Sequence, residues 1–379
     1  MRNLYYTLCL LFFVLTSCIA IKQIRNRGEN TKTGKQSFEI KNNAIILDTK
    51  LDGTSYQWMF DTGSTFSVIS DTIGLKNKKI GKLPIGGAKL PDGSKLKTRF
   101  VTGDIENDFL SIEHQVFTMI PQTEPEECKE TPYTRKGIIG SDIFFIDGAL
   151  AELNFDENQI SILSETDFDN RIKDGYSPIE ASFKHGHVYL PIKAGGKTYE
   201  FLMDTGFTES IMLPFEDQEN IKYYNSMEME GSVYKTIKGF VPNDRVIYSE
   251  NVDVVFAGIP MKTLTASSLQ AKNLKNVGIK FIKNFNWLID YGSKKVYIKP
   301  VAKQPESPKL PEISYKIKAI NDKIIILARN IKNTEYPVNS EITSVNDVLV
   351  NKENKCQILK QLNDTKDWKT LKIEIKKPN

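Results

Sequence analysis

An all-β protein, built of two related lobes and a small C-terminal module, is what this chain predicts from three observations. Strand-length apolar runs bounded by Gly, Asn, Asp and Lys recur at Ala44–Leu47, Val188–Ile192, Val252–Phe256 and Val296–Ile298. Few windows carry the period of a long amphipathic helix. The triplet Asp-Thr-Gly occurs twice, at Asp61-Thr62-Gly63 and Asp204-Thr205-Gly206, 143 positions apart. A proline-bearing break, with Pro300, Pro305, Pro308 and Pro311, then separates off residues 310–379.

The chain begins with a short basic start, Met1-Arg2-Asn3, an apolar stretch from Leu4 to Leu15, and Leu15-Thr16-Ser17-Cys18. That stretch is too short to span a bilayer and predicts a removable signal over residues 1–17. Leu-Thr-Ser-Cys resembles the bacterial lipobox, which implies a diacylated Cys18 and a membrane-anchored envelope lipoprotein. Ile19 in place of an acidic residue favours the outer membrane. Residues 18–37 are polar and basic and predict a flexible tether of roughly 25 Å reach.

The two lobes are expected at 38–175 and 176–302. Each triplet ends an apolar run, Trp58-Met59-Phe60 or Phe201-Leu202-Met203, and a second apolar stretch follows it. A chance triplet arises at roughly one position in several thousand, so one copy carries little, and two in the same context point to a duplicated unit. The repeat extends to Gly137-Ile138-Ile139-Gly140 and Asn276-Val277-Gly278. Two short strands joined by a polar turn follow each, Ala151–Asp156 with Gln159–Ile162 and Trp287–Gly292 with Lys295–Ile298. Each lobe is expected to be a closed or nearly closed antiparallel barrel.

The triplet has a chemical rationale. A buried strand delivers the Asp, the Gly permits a sharp turn, and the Thr hydroxyl can bond across to the other copy. Two carboxyls brought within about 3 Å cannot both ionise at neutral pH and share one proton. One then takes a proton from water while its protonated partner polarises a peptide carbonyl.

With these residues in order, the chain resembles the bacterial retropepsin-like aspartyl proteases with both lobes in one polypeptide, over roughly residues 38–302. Lobe 1 matches that pattern at Asp61-Thr62-Gly63-Ser64, at a glycine-bearing flap, Ile85-Gly86-Gly87, and at Ile138-Ile139-Gly140. Lobe 2 matches at Asp204-Thr205-Gly206, with its hairpin expected near Glu230-Gly231-Ser232, and at Asn276-Val277-Gly278. The resemblance implies a catalytic dyad of Asp61 and Asp204, supported by Thr62, Gly63, Ser64, Thr205 and Gly206. The flap glycines would give a lid its bend. Two residues depart from the pattern: Phe207 stands where a small residue is usual, and Asn276 where an aliphatic is usual. A Ser64 hydroxyl donating to Asp61 would favour its charged form, and an apolar Phe207 would favour neutral Asp204. Asp61 is accordingly expected as the base and Asp204 as the proton carrier.

Residues 310–379 contain Ile324–Leu327, then Ser340–Asp347, and Cys356–Leu362 as a possible helix. They resemble the strand-turn portion of a PDZ domain, with Asn339-Ser340 replacing its Gly-Asp and without an evident carboxylate-binding loop. Such a module would either take a peptide as an added strand or serve only to pack.

Basic and acidic residues, 51 and 47, are well mixed, and no basic stripe with interleaved aromatics predicts nucleic-acid binding. Cys128 and Cys356 could pair or stand as separate thiols. His185 and His187, with only His114 besides, do not predict a metal site, and no cofactor motif is present. Tyr223-Tyr224 and Trp58 are aromatic candidates for a peptide groove, with core packing their more ordinary fate. The function expected is a membrane-anchored aspartic endopeptidase acting on peptide or protein substrates, as a monomer with an internal pseudo-dyad. The alternatives are a non-catalytic peptide-binding lipoprotein and an envelope scaffold.

Overall fold

In a computed structural model of the chain, strands alternate buried and exposed residues wherever the sequence alternates. Lys197–Met203 turns its apolar side chains inward in this way, and Ala44–Leu51 does so from Leu47 onward, its first four residues all being buried. The structure describes residues 26–82, 88–89, 95–96, 99–120, 127–128, 135–236, 239–270, 274–310 and 312–378. The protein is all-β, with barrel-like sheets.

Lobe 1 orders its strands as Glu39–Lys41, Ala44–Leu51, Thr54–Phe60, Arg135–Ile139, Val68–Ile69, Ser111–Met119, Arg99–Glu106 and Gly81–Lys82. Pairing of Ala44–Leu51 with Arg99–Glu106 closes the sheet on itself. Lobe 2 repeats this order strand for strand: Ser182–Lys184, His187–Ala194, Lys197–Met203, Asn276–Val277, Ile211–Leu213, Ile259–Ser268, Asp244–Phe256 and Asn225–Gly231. It closes through His187–Ala194 and Asp244–Phe256. The duplication read from the triplets therefore extends through the whole lobe. The barrels are not purely antiparallel, however. Thr54–Phe60 runs parallel to Arg135–Ile139, and Lys197–Met203 parallel to Asn276–Val277.

A second sheet joins the lobes. Leu150–Asn154 of lobe 1 pairs with Phe285–Asp290 of lobe 2, flanked by Gln159–Ile162, Lys295–Pro300 and Ser177–Ile179. One continuous core runs through both lobes and includes Trp58, Phe60, Phe144, Phe201, Phe256, Phe281 and Trp287. Trp58 stacks on Phe117 and donates Nε1–H to Thr49 O at 3.1 Å. Of the three aromatics offered as groove candidates or, more ordinarily, core residues, Trp58 is fully buried, while Tyr223 and Tyr224 are 47% and 83% exposed and outside the core.

Residues 26–37, expected as part of a free tether, are docked instead. Gly34–Ser37 pairs antiparallel with Gln159–Ile162 at the edge of the inter-lobe sheet. Arg27, nearly buried, forms an ion pair with Asp147 at 2.9 Å. A bare sheet edge offers unpaired N–H and C=O groups, and this segment satisfies them.

The C-terminal module extends the lobe-2 sheet. Its central strand, Lys323–Asn330, pairs on one edge with Tyr315–Ile320 and on the other with Glu341–Val345 and the lobe-2 strand Asn225–Gly231. The helix Lys355–Asp364 covers this sheet, with Ile358 and Leu362 in an apolar cluster that includes Ile324, Ile326 and Trp368. The lobe-2 hairpin expected near Glu230-Gly231-Ser232 lies further on, between Lys235–Thr236 and Gly239–Phe240. Gly231 is within the strand and serves close approach, since a Cβ there would lie 2.4 Å from Leu327 O.

Cys128 and Cys356 are bonded, tying a lobe-1 segment to the module helix. Beside the bond, Lys355 Nζ contacts Glu127 at 2.6 Å, and Asn321 N–H donates to Glu127 Oε1 at 3.0 Å. A cross-link spanning 228 positions removes chain entropy worth up to about 5 kcal/mol from the unfolded ensemble. Cys356→Ser, or reduction of the wild type, should lower the thermal midpoint and separate a module transition from that of the lobes. A single unchanged calorimetric peak would contradict this role.

Candidate active site

Each Asp stands one residue past its strand because the apolar run before it is drawn into the core. Phe60 and Met203, immediately before the two carboxyls, are almost wholly buried. The ladder continues through the Asp backbones: Asp61 N–H donates to Ile139 O at 3.0 Å and Asp204 N–H to Val277 O at 2.9 Å. The chain then turns, with Ser64 N–H returning to Asp61 O at 3.2 Å and Phe207 N–H to Asp204 O at 3.1 Å.

The buried threonines lock the two turns together. Thr62 N–H donates to Thr205 Oγ1 at 3.0 Å, and Thr205 N–H to Thr62 Oγ1 at 3.1 Å. Their hydroxyls donate onward to Met203 O at 2.7 Å and Phe60 O at 3.0 Å, each in the opposite lobe. Each carboxyl lies over the glycine of the other triplet. A Cβ on Gly63 would sit 2.4 Å from Asp204 Cγ, and one on Gly206 2.4 Å from Asp61 Cγ. Only glycine fits at either position.

Asp61 and Asp204 thus face each other across the seam, close enough for each to perturb the other's ionisation. Burial raises the carboxyl pKa of both, and that of Asp204 rises well above the usual range because the Asp61 charge adds to the burial. The pair therefore holds a proton in common near neutral pH, with the larger upward shift on Asp204. Gly63 N–H donates to Asp61 Oδ1 at 2.8 Å. Asp204 Oδ1 accepts from Gly206 N–H and Phe207 N–H, both at 3.0 Å, and Asp204 Oδ2 from Asn276 Nδ2.

The sequence reasoning for an asymmetric pair does not hold in detail. The Ser64 hydroxyl donates to Phe66 O at 2.7 Å, not to Asp61, because the turn directs it along the chain. Phe207 supplies its backbone N–H to Asp204, and its ring packs against the lobe-2 cluster of Met212, Met229 and Tyr248. The flap residues Ile85, Gly86 and Gly87 lie outside the described residues, as does Cys18.

His187 belongs to the site and was not singled out as such from the sequence. Its Nδ1 lies 3.0 Å from Thr62 O and its Nε2 2.6 Å from Thr65 Oγ1, so a lobe-2 ring braces the lobe-1 turn. Its charge, when present, lowers the Asp61 pKa. The spacing from His185 gave no hint of this, since the contact is between lobes. Among the described residues no group of three His, Cys, Asp or Glu side chains is placed to hold a metal ion.

Asp142, just past Gly140, anchors the lobe-1 turn from below. Its buried carboxylate accepts from Ser67 N–H at 3.1 Å, Ser67 Oγ at 2.8 Å and Gln115 Nε2 at 2.6 Å. Burial outweighs these donors and the nearby Arg27 charge and pushes its pKa up to about 6.

Two sets of measurements follow from this geometry. Thr62→Val strands Thr205 N–H and Met203 O in the core and should cost about 2–4 kcal/mol in urea unfolding. Ser64→Ala, which loses only an exposed hydroxyl contact, should cost less than about 1 kcal/mol. Equal losses in the two variants would argue against the inter-lobe lock. Asp142 binds its proton more tightly folded than unfolded, so its contribution is full below the unfolded value of 3.8 and is lost as pH rises through about 6. The loss is on the order of 2–3 kcal/mol. Asp142→Asn should therefore flatten the stability profile across that window, and a profile parallel to wild type would exclude the assignment.

No protein-family model matches the chain, and no curated protein matches it.

Proposed function

We propose that this chain is a two-lobed aspartic endopeptidase of the retropepsin-like kind, with Asp61 and Asp204 as its dyad. One observation carries the reading: two partly buried carboxyls related by a repeat, each lying against the other lobe's glycine, on turns tied together by reciprocal threonine hydrogen bonds.

Ionised Asp61 takes a proton from a water molecule as the water oxygen attacks the peptide carbonyl carbon. Asp204 gives its proton to the carbonyl oxygen, so the tetrahedral intermediate is a neutral diol. Asp61 then passes its proton to the amide nitrogen, and the C–N bond breaks. The diol returns a proton to Asp204 as the carbonyl re-forms, restoring the starting state. Thr62 and Thr205 hold the turns still, which lowers the cost of aligning water and carbonyl. Phe207 does not weigh against turnover, since its backbone supports Asp204 and its ring lies in a separate cluster.

The PDZ-like module serves as a packing unit in this reading. A peptide added as a strand needs a free sheet edge, and both edges of Lys323–Asn330 are taken. Acylation of Cys18 would place the enzyme on an envelope membrane.

The test is cleavage of a quenched-fluorescent peptide library across acidic and neutral pH by the mature chain. Asp61→Asn and Asp204→Asn should each lower kcat/KM by roughly a hundredfold or more. Undiminished cleavage by folded variants would reject the dyad. No cleavage and no statine-type inhibitor binding by folded wild type would reject the peptidase reading.

A further inference from the structure

Asp204 has one contact that the repeat does not duplicate. The strand paired to each triplet strand places Ile138 opposite Met59 in lobe 1 and Asn276 opposite Leu202 in lobe 2. Both positions lie two residues before the signature glycine, and Met59 and Leu202 lie two residues before Asp61 and Asp204. The places are equivalent and the residues are not. Asn276 is buried and directs Nδ2 onto Oδ2 of Asp204.

A buried amide in an aliphatic position is costly unless a partner meets it. Here the partner is the carboxyl oxygen left over once Gly206 and Phe207 have bound Oδ1. Ile138 can offer Asp61 no such donor. The hydrogen bond also changes strength during turnover. An N–H donor binds a carboxylate oxygen more tightly than the same oxygen protonated, so the contact strengthens as Asp204 releases its proton. An interaction that grows along the reaction lowers the barrier and does not merely tighten binding.

We propose that Asn276 is a positioning residue for Asp204: its amide occupies Oδ2 as a donor, aims the carried proton at the substrate carbonyl, and stabilises the carboxylate left behind. The proposal rests on the peptidase reading above. It divides the labour of two carboxyls that the repeat would otherwise make alike. The titratable groups that act on the pair are Asp61, whose charge acts on Asp204, and His187, whose charge acts on Asp61 and whose ring bonds Thr62 O and Thr65 Oγ1. Neither substitutes for an amide on Oδ2. Asn276 also opposes the burial that holds the Asp204 proton so firmly, which makes Asp204 a better acid.

Asn276→Leu, close in shape, and Asn276→Ile, the residue of the equivalent lobe-1 position, test this in the full mature chain. Peptide cleavage and statine-type inhibitor binding are followed against pH. The expected result is a kcat lowered roughly tenfold with KM changed less than about twofold. The alkaline limb of kcat/KM and of inhibitor affinity should move up by about one pH unit, because the carboxylate has lost a donor. Folded, active variants with the wild-type limb would overturn the proposal, because a purely structural residue lowers activity without moving that limb. A measurement on wild type alone is independent of how the variants fold. The Asn276 side-chain amide resonances should titrate with the alkaline limb, and resonances that stay fixed across it would also overturn the proposal. Wild type that neither cleaves peptide nor binds inhibitor, while those resonances titrate, would remove the peptidase reading and leave the Asn276–Asp204 coupling standing.

Discussion

Asp61 and Asp204 lie in the apolar seam between two barrels, where an ionised carboxyl is expensive and two together are prohibitive. Much of the surrounding structure follows from making that placement tolerable. A proton is shared across the pair, and backbone N–H groups from Gly63, Gly206 and Phe207 reach the oxygens. Those N–H groups point correctly only because the turns are fixed, and the turns are fixed by the reciprocal Thr62 and Thr205 hydrogen bonds. Each lobe completes the other's turn, so neither half of the site is finished alone.

The same economy of partners governs the outer parts of the molecule. Residues 26–37 cover an edge of the inter-lobe sheet, and the C-terminal module covers the free side of Asn225–Gly231. That strand is followed in the chain by the short pairing of Lys235–Thr236 with Gly239–Phe240. Through Cys356 and Lys355 the module is also attached to lobe 1 at Glu127 and Cys128. A small module with both edges of its central strand occupied is thus a brace between the lobes. Its apolar cluster, with Trp368 stacked on Tyr315 at 4.4 Å, is its own and separate from the main core.

The repeat was legible because duplication leaves local signatures. Asp-Thr-Gly, the apolar run before it and the later Gly each answer a local demand: a buried strand, a tight turn, a close approach. The strand runs and the helix over Cys356–Leu362 could likewise be read from short-range pattern. Misreadings came where a residue's role depends on something distant. Gly231 looked like a turn and is a contact point for Leu327 O. Ser64 was expected on Asp61 and bonds instead within its own turn, while Phe207 assists through a backbone group that its side chain concealed.

By itself the sequence determined the all-β class, the two-lobe repeat, the pairing of Asp61 with Asp204 and the break before the C-terminal module. These rest on hydrophobic period, turn chemistry and recurrence, which are properties of neighbours in the chain. Only the tertiary structure decided that Cys128 meets Cys356, that His187 braces Thr62, that the N-terminal segment docks and that Asn276 reaches Asp204. Those contacts join residues far apart in the chain through barrel closure and sheet pairing. Hydrogen bonding across such a seam depends on register and direction in space, which no local pattern encodes.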